Sequence, residues 1–115
     1  MADETCNWQG ASGRSYTFYV HALPVSFSVN QAGNYIYAVR NAQRLWVPIY
    51  IGEGELADRI SDAHHKADCI RRKGSTHVHV HINSVEKARK DEETDLLAHY
   101  TNAYEPSGCN EKSGG

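Results

Sequence analysis

The chain has 115 residues, 40% of them hydrophobic and 23% charged, which is one ordinary globular domain with a modest core. Its formal net charge of −2 excludes attachment to nucleic acid by bulk charge, so contact with DNA or RNA requires a local basic surface. Three cysteines (Cys6, Cys69 and Cys109), an odd number with no C-x-x-C pair, argue against a disulfide framework and point to a reducing, cytoplasmic location. No apolar run reaches membrane-span length, and MADETCNWQG lacks the basic start and apolar centre of a signal peptide.

Residues 1–15 read as a flexible N-terminus, 16–110 as a single domain and 111–115 as a flexible tail. The aromatic and β-branched stretch Tyr16 to Leu23 reads as a strand closed by Pro24, Gly33 to Arg40 as a second and Trp46 to Gly52 as a third. The five residues Asn41 to Leu45 suit a hairpin loop, and Pro48 places the third strand at a sheet edge. From Glu55 to Lys73 the apolar residues Leu56, Ile60, Ala63, Ala67 and Ile70 fall on one helical face, with Gly74 as the stop. THVHVHINS alternates strictly as a fourth strand with Val78, Val80 and Ile82 on one face, and a second helix runs from about Ser84 to Ala103, Asn83 and Glu86 being spaced as a capping box. The order β-β-β-α-β-α predicts an α+β domain, a small, mostly antiparallel sheet flanked by helices.

On a continuous first helix Arg59, Lys66 and Lys73 fall in line beside the apolar stripe, and segment 59–73 holds five basic residues against two acidic ones, counting Arg71 and Arg72. Such a row suits phosphate contacts, though a solvated face with intrahelical ion pairs has the same pattern. In the second helix Glu93 shares a face with Leu96, Leu97 and Tyr100. A carboxylate there needs a metal or a partner, for which Arg89 stands one turn earlier. Alternation places Tyr35 and Tyr37 on one face of their strand and Tyr50 opposite to Ile49 and Ile51. Phenols gathered this way also occur as structural residues satisfied by backbone.

Gly33-Asn34-Tyr35, Tyr50-Ile51-Gly52, Leu56-x-x-Arg59, Glu93-x-x-Leu96-Leu97, Pro106 and Asn110, in that order, resemble the signature of the GIY-YIG nucleases across residues 33–110. The resemblance implies a three-stranded antiparallel core, with residues 16–23 as an extra strand, and divalent-metal-dependent hydrolysis of nucleic-acid phosphodiesters, DNA before RNA. It implies that Glu93 holds one Mg²⁺ or Mn²⁺, Arg59 neutralises transition-state charge, Tyr35 takes the proton of the attacking water and Tyr50 orients water or phosphate. Gly52, Lys66, Arg71, Arg72, Lys73 and Asn110 would meet the nucleic acid, Asn110 also fixing a nearby Tyr or Glu, while His64 and His65 are accessory candidates. So small a domain implies recognition of backbone or DNA structure, or a partner protein for targeting.

Several features depart from that pattern. Asn34 replaces an aliphatic residue, Glu53 stands where relatives carry lysine, and the histidine expected one turn after Arg59 is Ala63. On a continuous helix His64 points about 100° away from that place. Glu53 and the displaced histidine also fit a second reading, a nucleic-acid-binding module without catalysis. A zinc site from His77, His79 and His81, or from the i, i+4 pair His65 and Cys69, is a further alternative, weighed against histidines that simply cover the solvent side of a strand.

Overall fold

The computed structural model describes residues 4–112; the outer parts of both expected flexible ends, 1–3 and 113–115, lie outside the described residues. Five strands, β1 (Thr5–Gln9), β2 (Ser15–Ala22), β3 (Ala32–Arg40), β4 (Trp46–Glu55) and β5 (His77–Ile82), form one antiparallel sheet in the order β1-β2-β5-β3-β4. Three α-helices accompany it, α1 (Leu56–Arg59), α2 (Ala67–Arg72) and α3 (Glu86–His99), followed by a 3-10 turn at Thr101–Ala103. The α+β class is therefore as expected. β4 is an edge strand, which accommodates Pro48, and Asn41 closes the hairpin by accepting from the amides of Gln43 and Leu45.

The sheet is covered on both faces. Tyr35, Tyr37, Val78 and Val80 pack with Leu56, Ile60 and Ile70 on one side. Trp8, Phe18, Ile36, Ala38 and Ile51 pack with Leu96 of α3 and Ala103 on the other. That second core corrects two expectations. Residues 5–9 are not a flexible leader: they form β1, and Trp8 lies 3% exposed with its indole N–H donating to His79 Nδ1 at 2.9 Å. Nor do the alternating histidines cover a solvent face, because His79 is fully buried beside Trp8 and Trp46, and His81 bonds Glu92 at 3.0 Å. Asp95 of α3 holds the β1–β2 hairpin by accepting from the Ser12 amide and hydroxyl and the Tyr16 phenol. Trp8→Ala is expected to lower the unfolding free energy by about 3–5 kcal/mol through lost packing, read as the urea midpoint. An unchanged midpoint would restore the flexible-leader reading.

The helix expected over 55–73 is broken, and the cause is local. Ser61 Oγ donates to the Asp58 carbonyl and accepts the Ala63 amide, and His64 Nδ1 accepts the amide of Lys66. These side chains satisfy backbone groups that a continuous helix would otherwise pair. The capping box is likewise absent: Asn83 accepts the Val85 amide, and Val85 caps α3 without a side-chain bond.

Cys69 and Cys109 are joined in a disulfide closing a sequence separation of 40, with Cys6 free. The odd count concealed this pair, and the premise for a reducing compartment falls with it, since such bonds persist in oxidising surroundings. Among the described residues no helix is long and apolar enough to cross a membrane.

Candidate functional site

Tyr35 and Gly52 are direct partners across β3 and β4. The reason for a glycine there is steric: a Cβ on residue 52 would lie 2.5 Å from Tyr35 Oη and 2.9 Å from Tyr50 Cε1. Gly52 is buried and makes room for two phenols, so its expected contact with nucleic acid is not available. Gly54, at φ +141, lies beneath the Arg59 side chain, 2.8 Å from Nε to an added Cβ. Tyr50 shares the Tyr35 face by regular pairing opposite Tyr37, and a bulge brings its neighbour Ile49 to the same side. The ladder passes from Tyr37–Tyr50 to Ala38–Pro48 and skips Ile49, so Ile49 and Tyr50 both pack on the α1/α2 side and not on opposite sides as simple alternation required.

Tyr35 and Tyr50 stack with centroids 6.0 Å apart and planes 21° from parallel. His64, carried inward by the loop that breaks the helix, is buried with Nε2 2.9 Å from Tyr35 Oη and its ring 4.8 Å from that of Tyr50. Because Nδ1 accepts the Lys66 amide, the neutral ring carries its proton on Nε2 and donates to the phenol, a tautomer assigned from this bonding pattern. The unwound chain thus brings His64 to the phenols, where a continuous helix would have turned it away. His65 is exposed and stacks on His64 at 4.6 Å.

Arg59 and Glu93 both act electrostatically on Tyr35 and Tyr50. Among the described residues neither is engaged in a salt bridge or side-chain hydrogen bond. Arg89 does not neutralise Glu93, as spacing suggested. Its guanidinium bonds Glu53 Oε1 at 3.0 Å and the Asn83 carbonyl, and the buried Asn34 amide donates to its main-chain carbonyl. Burial, reinforced by the nearby Glu53, pushes the Glu93 carboxyl up to about 7. Burial also pushes both phenols up, outweighing the opposing effect of Arg59, so the protein by itself holds Tyr35 and Tyr50 neutral.

The remaining candidates are placed differently from the expected row. Lys66 pairs with Glu111 at 2.7 Å and Glu105 at 3.8 Å, and Lys73 Nζ donates to the Pro106 carbonyl at 2.6 Å. These lysines hold the segment after α3 and do not line up with Arg59. Arg71 pairs with Asp68 within α2, and Arg72 is exposed. Asn110 is buried, with Nδ2 donating to the Ile51 carbonyl and Oδ1 accepting the Ile51 amide. It braces β4 between Tyr50 and Gly52 and meets neither a site tyrosine nor Glu93. The His65–Cys69 zinc pair has lost its thiolate to the disulfide. Glu53, noted in the sequence only as a departure from the motif, is the neighbour that acts on Glu93. Beside Arg59 a cleft of about 430 Å³ is lined by Glu55, Asp58, His64 and His65. No family model, curated protein or solved structure matches the chain.

These protonation states give stability a maximum in pH. His64 and His79 are held down to about 4, chiefly by burial, below an ordinary value of 6.5. Below pH 6.5 the unfolded chain therefore takes up two protons that the fold refuses, and stability falls as pH drops toward 4. Glu93, raised from 4.5 to about 7, acts in the opposite sense, holding one proton that the unfolded chain loses above pH 4.5. The two histidines raise stability with pH up to 6.5, opposed by Glu93 and by Glu92, whose carboxyl burial also pushes up; above pH 6.5 the histidine contribution is spent and the carboxyls act alone, so the urea midpoint is expected to decline above neutrality. Glu93→Gln should lessen that decline.

Proposed function

We propose that this protein is a GIY-YIG-type endonuclease that hydrolyses nucleic-acid phosphodiester bonds, DNA in the first instance, at Tyr35, Tyr50, Arg59 and Glu93 with one Mg²⁺ or Mn²⁺. The observation that carries the proposal is a pair of opposite charges left unpartnered beside two stacked phenols: Arg59 exposed, and Glu93 half-buried with its pKa near 7. Burial makes the Glu93 carboxylate costly, and a phosphodiester with its counter-cation supplies a partner for it and for the exposed Arg59.

The donor chemistry fits the cation. Among the described residues no group of three His, Cys, Asp or Glu side chains is arranged around one point, and Mg²⁺ is commonly held by one or two carboxylates, completed by water and substrate phosphate. Glu93 is the residue that would hold it. Bound there, the ion would supply Lewis-acid stabilisation of charge on the phosphoryl and leaving oxygens.

The protein's own groups then divide the work. Arg59 presents a planar fork of donors to the non-bridging oxygens and neutralises the charge that grows on them. Tyr50, half-exposed, orients the attacking water or the phosphate. Tyr35 begins as a neutral phenol, and the His64 Nε2–H at its oxygen, with Arg59, favours the phenolate required when it acts as the base. Nicking of supercoiled plasmid and of branched, flapped and single-stranded oligonucleotides in Mg²⁺, Mn²⁺ or chelator tests the reading. Metal-dependent cutting is expected; binding without cutting would leave the non-catalytic module.

A further inference from the structure

We propose that the Cys69–Cys109 disulfide is a redox latch on β4, fixing the strand that carries Tyr50 when oxidised and releasing it when reduced. Its control of cutting rests on the nuclease reading; its control of β4 does not.

The outer edge of β4 is covered by the segment that follows α3. Cys109 N donates to the Ile49 carbonyl at 2.8 Å, and the Asn110 amide makes both of its bonds, 2.8 and 2.9 Å, to the backbone of Ile51. These attachments flank Tyr50 on either side. The segment is folded on itself by Gly108 N to the Tyr104 carbonyl and Glu105 N to the Asn110 carbonyl. Its remaining ties run to α2 and the residues on either side of it: Lys66 to Glu111 and Glu105, Lys73 to the Pro106 carbonyl, and the disulfide itself. The lysine contacts are surface interactions of small individual worth. The disulfide is thus the one covalent tie between the strap on β4 and the element that follows His64.

Its two sulfurs differ in access. Cys109 is fully buried, whereas Cys69 is partly exposed, so the thiolate of a dithiol reductant attacks Cys69 Sγ. A mixed disulfide forms there, and Cys109 leaves as a thiolate and is protonated. The reductant's second thiol then displaces Cys69, which takes up a proton as the reductant closes its own disulfide. Two electrons and two protons reach the protein.

The test is amide hydrogen exchange by NMR on full-length protein carrying Cys6→Ser, with and without dithiothreitol, together with the ring resonances of Tyr50. On reduction the Ile51 and Cys109 amides are expected to exchange at least about tenfold faster and the Tyr50 ring to shift. The Asn83 and Val20 amides, bonded to the Ala32 and Glu4 carbonyls, should stay protected, as expected of a local opening. Cys69→Ser/Cys109→Ser should reproduce the reduced pattern without dithiothreitol; if it does not fold, the wild-type pair of conditions decides. Equal acceleration of all four amides, no acceleration, an unmoved Tyr50, or three reactive thiols in the denatured, unreduced protein with native Cys6 would each overturn the latch. Protein that cuts nothing in either state but shows the local opening would remove the nuclease reading and keep the latch.

Discussion

Glu93→Gln is expected to reduce metal-dependent strand cutting by about a thousandfold or more while leaving the fold intact, and Arg59→Ala by about 10²–10³-fold, the range found when a charge-stabilising group is removed from an active site. The first substitution separates function from structure unusually well. Glu93 bonds no other side chain among the described residues, and burial holds its carboxyl near pKa 7. A neutral amide there relieves the desolvated charge, so Glu93→Gln should be as stable as the native protein or more so above pH 7. Lost cutting with retained or raised urea midpoint is the signature of a group kept for chemistry at a cost in stability. Isothermal titration with Mn²⁺ supplies a second readout, since the variant should lose the binding heat. Unchanged cutting in Glu93→Gln would end the enzyme assignment.

The second large effect is at a residue with no side chain. Gly52→Ala is expected to lower cutting by about a hundredfold, the order of loss produced by an ångström of misplacement, and to destabilise by about 1–3 kcal/mol. The added methyl would sit 2.5 Å from Tyr35 Oη and 2.6 Å from Cζ. Tyr35 is packed into the core and cannot swing clear, so either its ring or β4 moves, and the His64 bond at 2.9 Å goes with it. Gly74→Ala is the control: at φ +81 with no atom within 4 Å of its Cβ, it carries backbone strain only and should cut normally. Nicking rates and urea midpoints for the two variants decide whether the methyl acts through the phenols.

The strands from Tyr16 to Ile82 were legible because period-two alternation and turn chemistry are local properties, as the hairpin closed by Asn41 shows. What failed was decided elsewhere in the chain. Residues 5–9 are too short and polar to declare a strand alone; only packing of Trp8 against His79 makes them one. The apolar period at Leu56, Ile60, Ala63, Ala67 and Ile70 was real, and Leu56, Ile60 and Ile70 do enter one core. Periodicity nevertheless could not weigh Ser61 and His64, whose side chains take the helix's own hydrogen-bonding groups. That error removed the row Arg59, Lys66, Lys73 and also hid the burial of His64. The disulfide was illegible for a similar reason, since partners 40 residues apart leave no trace in spacing. Arg59 and Glu93 were named from motif order, and the structure adds what order cannot, that among the described residues neither side chain makes a salt bridge or hydrogen bond.

The hairpin tip at Asn41 to Leu45 lies at the far end of the ladder from the phenols. Arg40 lies five residues along the strand from Tyr35, a span of about 17 Å, and the tip residues are exposed. The fifteen-residue interval between Tyr35 and Tyr50 is therefore taken up by paired strand and a remote turn, and its length is uncoupled from the spacing of the rings. That makes Gln43 and Arg44 a docking port for engineering: a fluorophore, a surface tether or a fused targeting module grafted there would travel with the domain without disturbing the tyrosines.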